Sequence, residues 1–204
     1  MPESLIQLLL SMVNSTVALV NTQGTLSVTQ SCPPGDATIT LTDRDTDGFL
    51  SSGDRVTLRF AGRCFNDALN DEVTGEMAIE LASVSIRGDG DIALAGQLII
   101  TDPLRITEQG SGAGAAGIRV SGRFEFSVVA GAGSHPELIL INHIPDSPLV
   151  MTLVDDASRQ TSERIRDFSV RRELFQIDAI DTGFRFQFDF TNESQRLNGR
   201  IRCI

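Results

Sequence analysis

Residues 43–54 read Asp-Arg-Asp-Thr-Asp-Gly-Phe-Leu-Ser-Ser-Gly-Asp, and this is the stretch whose residue types and spacing can do chemistry. Oxygen ligands at alternate positions of a tight loop converge on one point, and a hard cation such as calcium takes about six to eight of them. Asp43, Asp45 and Asp47 stand at positions 1, 3 and 5 of the stretch. Gly48 at position 6 permits a sharp turn, and Phe49 at position 7 offers its carbonyl. Leu50 at position 8 is apolar and can anchor the loop to a core. Ser51 at position 9 ligates directly or through water, and Asp54 closes the set at position 12. The expected cofactor is calcium, held by Asp43, Asp45, Asp47, the Phe49 carbonyl, Ser51 and Asp54. A solvated acidic turn is the alternative, because Asp and Gly also build turns. The full match, with Gly48, Leu50 and Asp54 in place, favours the metal.

The elements that must position this loop are strands. Residues 37–42 and 55–61 alternate apolar and polar side chains, so residues 37–61 read as a hairpin with the loop at its tip. The ligand spacing is that of an EF-hand, without the helix pair that calcium sensors open and close, so calcium here stiffens a fold. The loop resembles the calcium loops of dockerins, which also end in Asp. If residues 42 and 55 face each other, paired positions sum to about 97, which brings Cys32 nearly opposite Cys64. A disulfide between Cys32 and Cys64 is therefore expected, with Cys203 left over and Pro33-Pro34 distorting that end. No CxxC pair is present, which argues against zinc and thioredoxin-like chemistry.

The period of two continues along the chain. Met77, Ile79 and Leu81 alternate with polar or small residues, then the parity changes at Ser83, which predicts a bulge. Ile92, Leu94, Leu98 and Ile100 follow, then Ile118, Val120, Phe124, Phe126 and Val128. Residues 138–141 and 149–154 are shorter and apolar on both faces, and Phe184, Phe186, Phe188 and Phe190 form a stripe. The expected fold is all-β: one domain over residues 1–204, an antiparallel sandwich or barrel-like sheet of roughly ten to twelve strands. Within residues 1–22 a short helix is expected, because Ile6, Leu9, Leu10, Val13, Val17 and Val20 share a helical stripe; a hairpin around Asn21–Gly24 competes for its second half. Residues 155–174 read as a charged loop, a short helix or two edge strands.

Composition narrows the function. The net charge is −10, and residues 1–103 carry 14 acids against 5 Arg, so nucleic acid is a poor partner. Trp and Tyr are absent, which argues against a stacking platform for sugars. Gly112-x-Gly114-x-x-Gly117 matches a dinucleotide fingerprint, but the strand pattern after it is not the helix such a site requires. With His135 and His143 the only histidines and no nucleophile elbow, a Ser-His-Asp site is disfavoured. Arg159, Arg164, Arg166, Arg171 and Arg172 form a basic cluster that nearby acids can neutralise.

The order Cys32, strand, Asp-rich loop, Gly53-Asp54, strand, Cys64 over residues 30–82 resembles a group of uncharacterised proteobacterial envelope proteins and lipoproteins. The resemblance implies export and β structure, in the periplasm, at the outer membrane or in the medium, and it transfers no catalytic residue. Residues 5–13 resemble the apolar core of a signal peptide, but Glu3 stands where positive charge belongs, and the expectation is a chain whose export signal has been removed. No stretch is long enough for a membrane-spanning helix, so membrane association has no support from a span. The leading functional expectation is a non-enzymatic, calcium-stabilised envelope or secreted protein that binds a protein partner or self-assembles. An apolar-ligand or lipid carrier with a cavity inside the sheet is the first alternative. A hydrolase assembled from distant residues is the second.

Overall fold

The computed structural model describes residues 8–10, 12–17, 27–32, 34–66, 71–86, 91–108, 116–131, 136–144, 146–147, 149–154, 160–176, 182–192 and 197–203. For residues 27–32, 34–35, 61–66, 71, 108, 136–137, 163, 165–168, 172–176, 182–192 and 197–203 the description is of backbone only. Twelve strands are described, all in one antiparallel sheet: β1 (Ser27–Cys32), β2 (Pro34–Thr42), β3 (Arg55–Asn66), β4 (Asp71–Ile86), β5 (Ile92–Glu108), β6 (Gly117–Ser121), β7 (Arg123–Ala130), β8 (Pro136–His143), β9 (Leu149–Val154), β10 (Gln160–Gln176), β11 (Thr182–Asn192) and β12 (Leu197–Cys203). The expected all-β antiparallel fold is observed.

The pairing is simpler than the strand count suggests. One edge of β5 pairs β7 over Ile92–Ile99 and β6 over Leu104–Thr107, so β6 and β7 are two stretches of one interrupted strand. β8 and β9 likewise share one edge of β10. With those two mergers the chain is an up-and-down meander in which each strand pairs the next. Such a path needs only reversals between strands adjacent in sequence. Among the described residues β1 and β12 each pair a single neighbour, so the sheet is open.

Alternation puts the apolar residues on one face. Leu41, Val56, Ile79, Leu98 and Phe124 are successive cross-strand partners, and all are buried. Arg59, Gln97, Arg123 and Glu125 lie on the opposite face and are exposed. The helix fills the inner side. Residues 8–10 and 12–17 are helical, and Leu8, Leu9, Leu10, Met12, Val13, Thr16 and Val17 are all buried in the same core cluster as the strands or within it. At 100° per residue these positions cover about 200° of the helix circumference. A helix laid on a flat sheet buries a stripe of little more than about 100°. The sheet must therefore curve around it. Leu8, Met12 and Thr16 join the expected stripe for this reason, while Ile6 and Val20 lie outside the described residues. The Thr16 hydroxyl satisfies itself by donating to the Met12 carbonyl at 2.9 Å.

The curvature has a source in the strands. The β3–β4 register breaks between Phe60 and Cys64, and Gly75, opposite Phe60, has φ of 117°. A Cβ on Gly75 would lie 2.8 Å from the Pro103 carbonyl oxygen. On the far side of β5, the Ile100 amide bonds the Gly122 carbonyl between β6 and β7. The β8/β9 interruption falls opposite that point, and β10 breaks register between Arg166 and Ser169 beside it. Each irregularity bends its strand and sharpens its twist. Lined up across successive strands they form a corner, as in sheets whose strands bend to wrap a core. Val73, Leu104, Ile106, Ile118 and Leu149 beyond the corner join the same core as Ile79, Leu98 and Phe124 before it.

Two expectations need correction. Residues 160–176 are one long interior strand, not a loop, a helix or two edge strands: β10 pairs β8 and β9 on one side and β11 on the other. Its first residues are polar on both faces and exposed, which hid the period; Val170 alone among its described side chains is buried. The register sum of 97 holds from Thr42↔Arg55 to Asp36↔Ala61, but Cys32 is not on β2. It ends β1 and pairs with Gly35, and Pro34 is the residue opposite Cys64.

The predicted bulge near Ser83 is present: the β4–β5 register shifts between Leu81 and Ser83, opposite Gly96 and Ala95. Gly96 is there because nothing larger fits. A Cβ at this position would run into the Glu80 carbonyl oxygen, a backbone atom that cannot swing aside. Gly96→Ala is expected to destabilise the protein by about 3 kcal/mol, the upper part of the range for overpacking. Urea denaturation measures it; an unchanged midpoint would show that β4 and β5 do not approach this closely.

Candidate metal centre

The loop between β2 and β3 is shaped by its own carboxylates. Asp43 accepts hydrogen bonds from the Thr46 amide through Oδ1 (2.6 Å) and the Gly48 amide through Oδ2 (2.8 Å). Asp45 accepts from the Asp47 amide at 3.4 Å and from the Ser51 hydroxyl at 3.0 Å. Asp47 accepts from the Phe49 amide at 2.7 Å. These short-range bonds reel the chain in, and they require left-handed backbone at Thr46 (φ 59°) and Gly48 (φ 83°). Glycine meets that need at no steric cost, as its place in the spacing predicts.

The result brings three of the predicted ligands together. One carboxylate oxygen from each of Asp43, Asp45 and Asp47 lies within 4.8 Å of the other two. Two oxygens on one calcium, each about 2.3–2.6 Å from the ion, can be at most about 5 Å apart. The spacing is compatible with a metal ion of that size, and the donors are the hard oxygens such an ion takes. Ser51 joins it through its bond to Asp45, while Phe49 turns its ring outward and is 53% exposed. Leu50 is buried in the core cluster, the anchor its apolar character suggests.

Asp54 behaves differently. It is fully buried, and both its oxygens accept backbone amides, those of Arg44 (2.9 Å) and Ser51 (2.7 Å). The stitching of the loop to the sheet was also not visible in sequence. The Gly53 amide donates to the Leu81 carbonyl, the Leu81 amide donates to the Asp54 carbonyl, and the Ser52 hydroxyl donates to the Ala82 carbonyl. These partners lie some thirty residues away along the chain. Beside them, Arg55 and Glu80 form an ion pair at 3.1 Å across β3 and β4.

Other sequence candidates gather no site among the described residues. His143 pairs in register with Phe124, and its buried Nε2 has no hydrogen-bond partner. His135, Gly112, Gly114 and Arg159 lie outside the described residues, and Gly117 opens strand β6, not a helix. Phe188 is opposite Val170 in the register of β10 and β11; the side chains of the Phe184–Phe190 stripe, of Cys32, Cys64 and Cys203, and of Arg166 and Arg172 are not described. No helix among the described residues is long and apolar enough to cross a membrane.

The amide of Gly48, aided by those of Thr46 and Asp47, holds the Asp43 carboxyl below the ordinary aspartate value of 3.8. The folded value lies under the unfolded one. Whatever stability this ionisation contributes is thus complete above the unfolded value and is lost as pH falls through the folded one. Carbon-13 NMR titration of the calcium-free protein is expected to show the Asp43 carboxyl inflecting below 3.8; an inflection at or above that value would mean the amides do not converge on it.

No family model, no curated protein and no solved structure matches the chain.

Proposed function

We propose that this is a calcium-stabilised, non-enzymatic protein of the bacterial envelope or of the secreted class, acting by binding or assembly. The observation that carries the calcium reading is the gathering of the Asp43, Asp45 and Asp47 oxygens within 4.8 Å. The Phe49 carbonyl and the Ser51 hydroxyl are the further ligands in this reading. The affinity expected is that of extracellular modules, about 10⁻⁴–10⁻³ M, because the sequence carries no second loop of this spacing to couple to it. That range suits a compartment rich in calcium, which is where the resemblance to envelope proteins points.

Action by binding rather than as a carrier is supported by the interior. The inner face of the sheet is occupied by Leu9, Met12 and Val13 of the helix, all fully buried, where a carrier would keep room for a ligand. Assembly is supported by the two strands that have a single neighbour among the described residues, since an unpaired edge accepts a partner strand.

Thermal melting with calcium and with chelator tests the reading. At tenfold excess over the dissociation constant, linkage adds about 1.4 kcal/mol. For a chain of this size that is a rise of about 3–6 °C. Asp45→Ala is expected to abolish the rise. Coincident curves for the unaltered protein would rule calcium out as the stabilising ion.

A further inference from the structure

Position 12 of the loop should supply the final ligand, and Asp54 occupies it. The structure gives that side chain other work. The Asp43, Asp45 and Asp47 carboxylates lie on the accessible part of the loop, whereas Asp54 has no exposed surface. Its Oδ1 takes the amide of Arg44 near the start of the loop, and its Oδ2 takes the amide of Ser51 near the end. One carboxylate thus ties the two ends of the loop together. Its backbone carbonyl accepts the Leu81 amide at 2.9 Å, and the adjoining Gly53 amide donates to the Leu81 carbonyl at 2.8 Å. The same residue therefore closes the loop and continues the β3–β4 ladder into it.

A buried carboxylate is costly unless charge-assisted bonds satisfy it, and two amides at these distances are such bonds. We propose that Asp54 is a positioning residue: a metal-independent clasp that folds the loop onto β4 and holds Asp43, Asp45 and Asp47 ready before any cation arrives. A loop organised in advance binds more tightly because less ordering is left for the binding step. The part of this inference that concerns affinity rests on the calcium reading; the clasp itself does not.

Hydrogen exchange on the unaltered protein in chelator tests the clasp without any substitution. The Arg44 and Ser51 amides are expected to be protected with no metal present. In Asp54→Ala, or in the milder Asp54→Asn, those two amides should exchange at least about tenfold faster, the usual scale for losing a bond to a charged group. The Ile139 and Ile141 amides in β8 serve as the control and should keep their protection, which a general loss of stability would not allow. The calcium dissociation constant, read by calorimetry, should weaken by about tenfold without binding being abolished.

Arg44 and Ser51 amides that are unprotected in chelator and become protected only with calcium would overturn the proposal and return Asp54 to the ligand set. So would an Asp54→Asn protein with unaltered exchange in chelator and no calcium binding at all. A protein whose amides are protected in chelator but which shows no calcium response would sustain the clasp and defeat the metal reading instead.

Discussion

An open meander of long strands with a continuous apolar inner face cannot stay flat in water. Leu41, Val56, Ile79, Leu98 and Phe124 run across five neighbouring strands, and burying such a row is the dominant favourable term in folding. One short helix is the apolar partner described for that face. It covers the sheet only if the sheet wraps it, which is why its burial extends round more than half its circumference and includes Thr16. The corner through Gly75, Gly122 and the break in β10 makes the wrapping geometrically attainable. The rest of the architecture is largely a consequence of that enclosure.

The loop is tied to the same sheet. Its base continues the β3–β4 ladder through Gly53, Asp54 and Leu81, at the end of strands whose inner residues are fully buried. Leu50 enters the core from one side, and the Asp54 carboxylate joins the two loop ends from beneath. The carboxylates that remain, on Asp43, Asp45 and Asp47, are set by short-range amide bonds and face outward together. Their mutual repulsion is the cost of this arrangement, and a divalent cation is the natural means of offsetting it.

Much of this was legible in the residues because much of it is local. Alternation located the middles of the strands between residue 37 and residue 128, and the change of parity at Ser83 marked a real bulge because a bulge shifts every later side chain to the other face. The converging carboxylates and Gly48 could be read from spacing, since loop ligands must alternate and the turn needs positive φ. What could not be read depends on neighbours distant in sequence. The corner exists only because irregularities in separate strands fall side by side. β10 is interior only because β8, β9 and β11 flank it. Cys32 ends β1 because the chain reverses before Pro34, where a uniform register would have carried it on. Asp54 stands at a ligand position by spacing, but the bond of its backbone carbonyl to the Leu81 amide is one that spacing within the loop cannot reveal.

On the proposed reading the sheet presents a loop whose Asp43, Asp45 and Asp47 carboxylates are already gathered, and the effect of an ion would be confined to that loop. Titrating calcium into the nitrogen-15-labelled protein while recording amide spectra tests this most directly. Saturable shifts are expected at Thr46, Gly48 and Phe49, small shifts at Leu81 and Ala82, and none at Ile139 or Ile141 on the distant side of the sheet. Shifts spread through β7 and β8, or no shifts at millimolar calcium, would contradict a preformed, locally acting site.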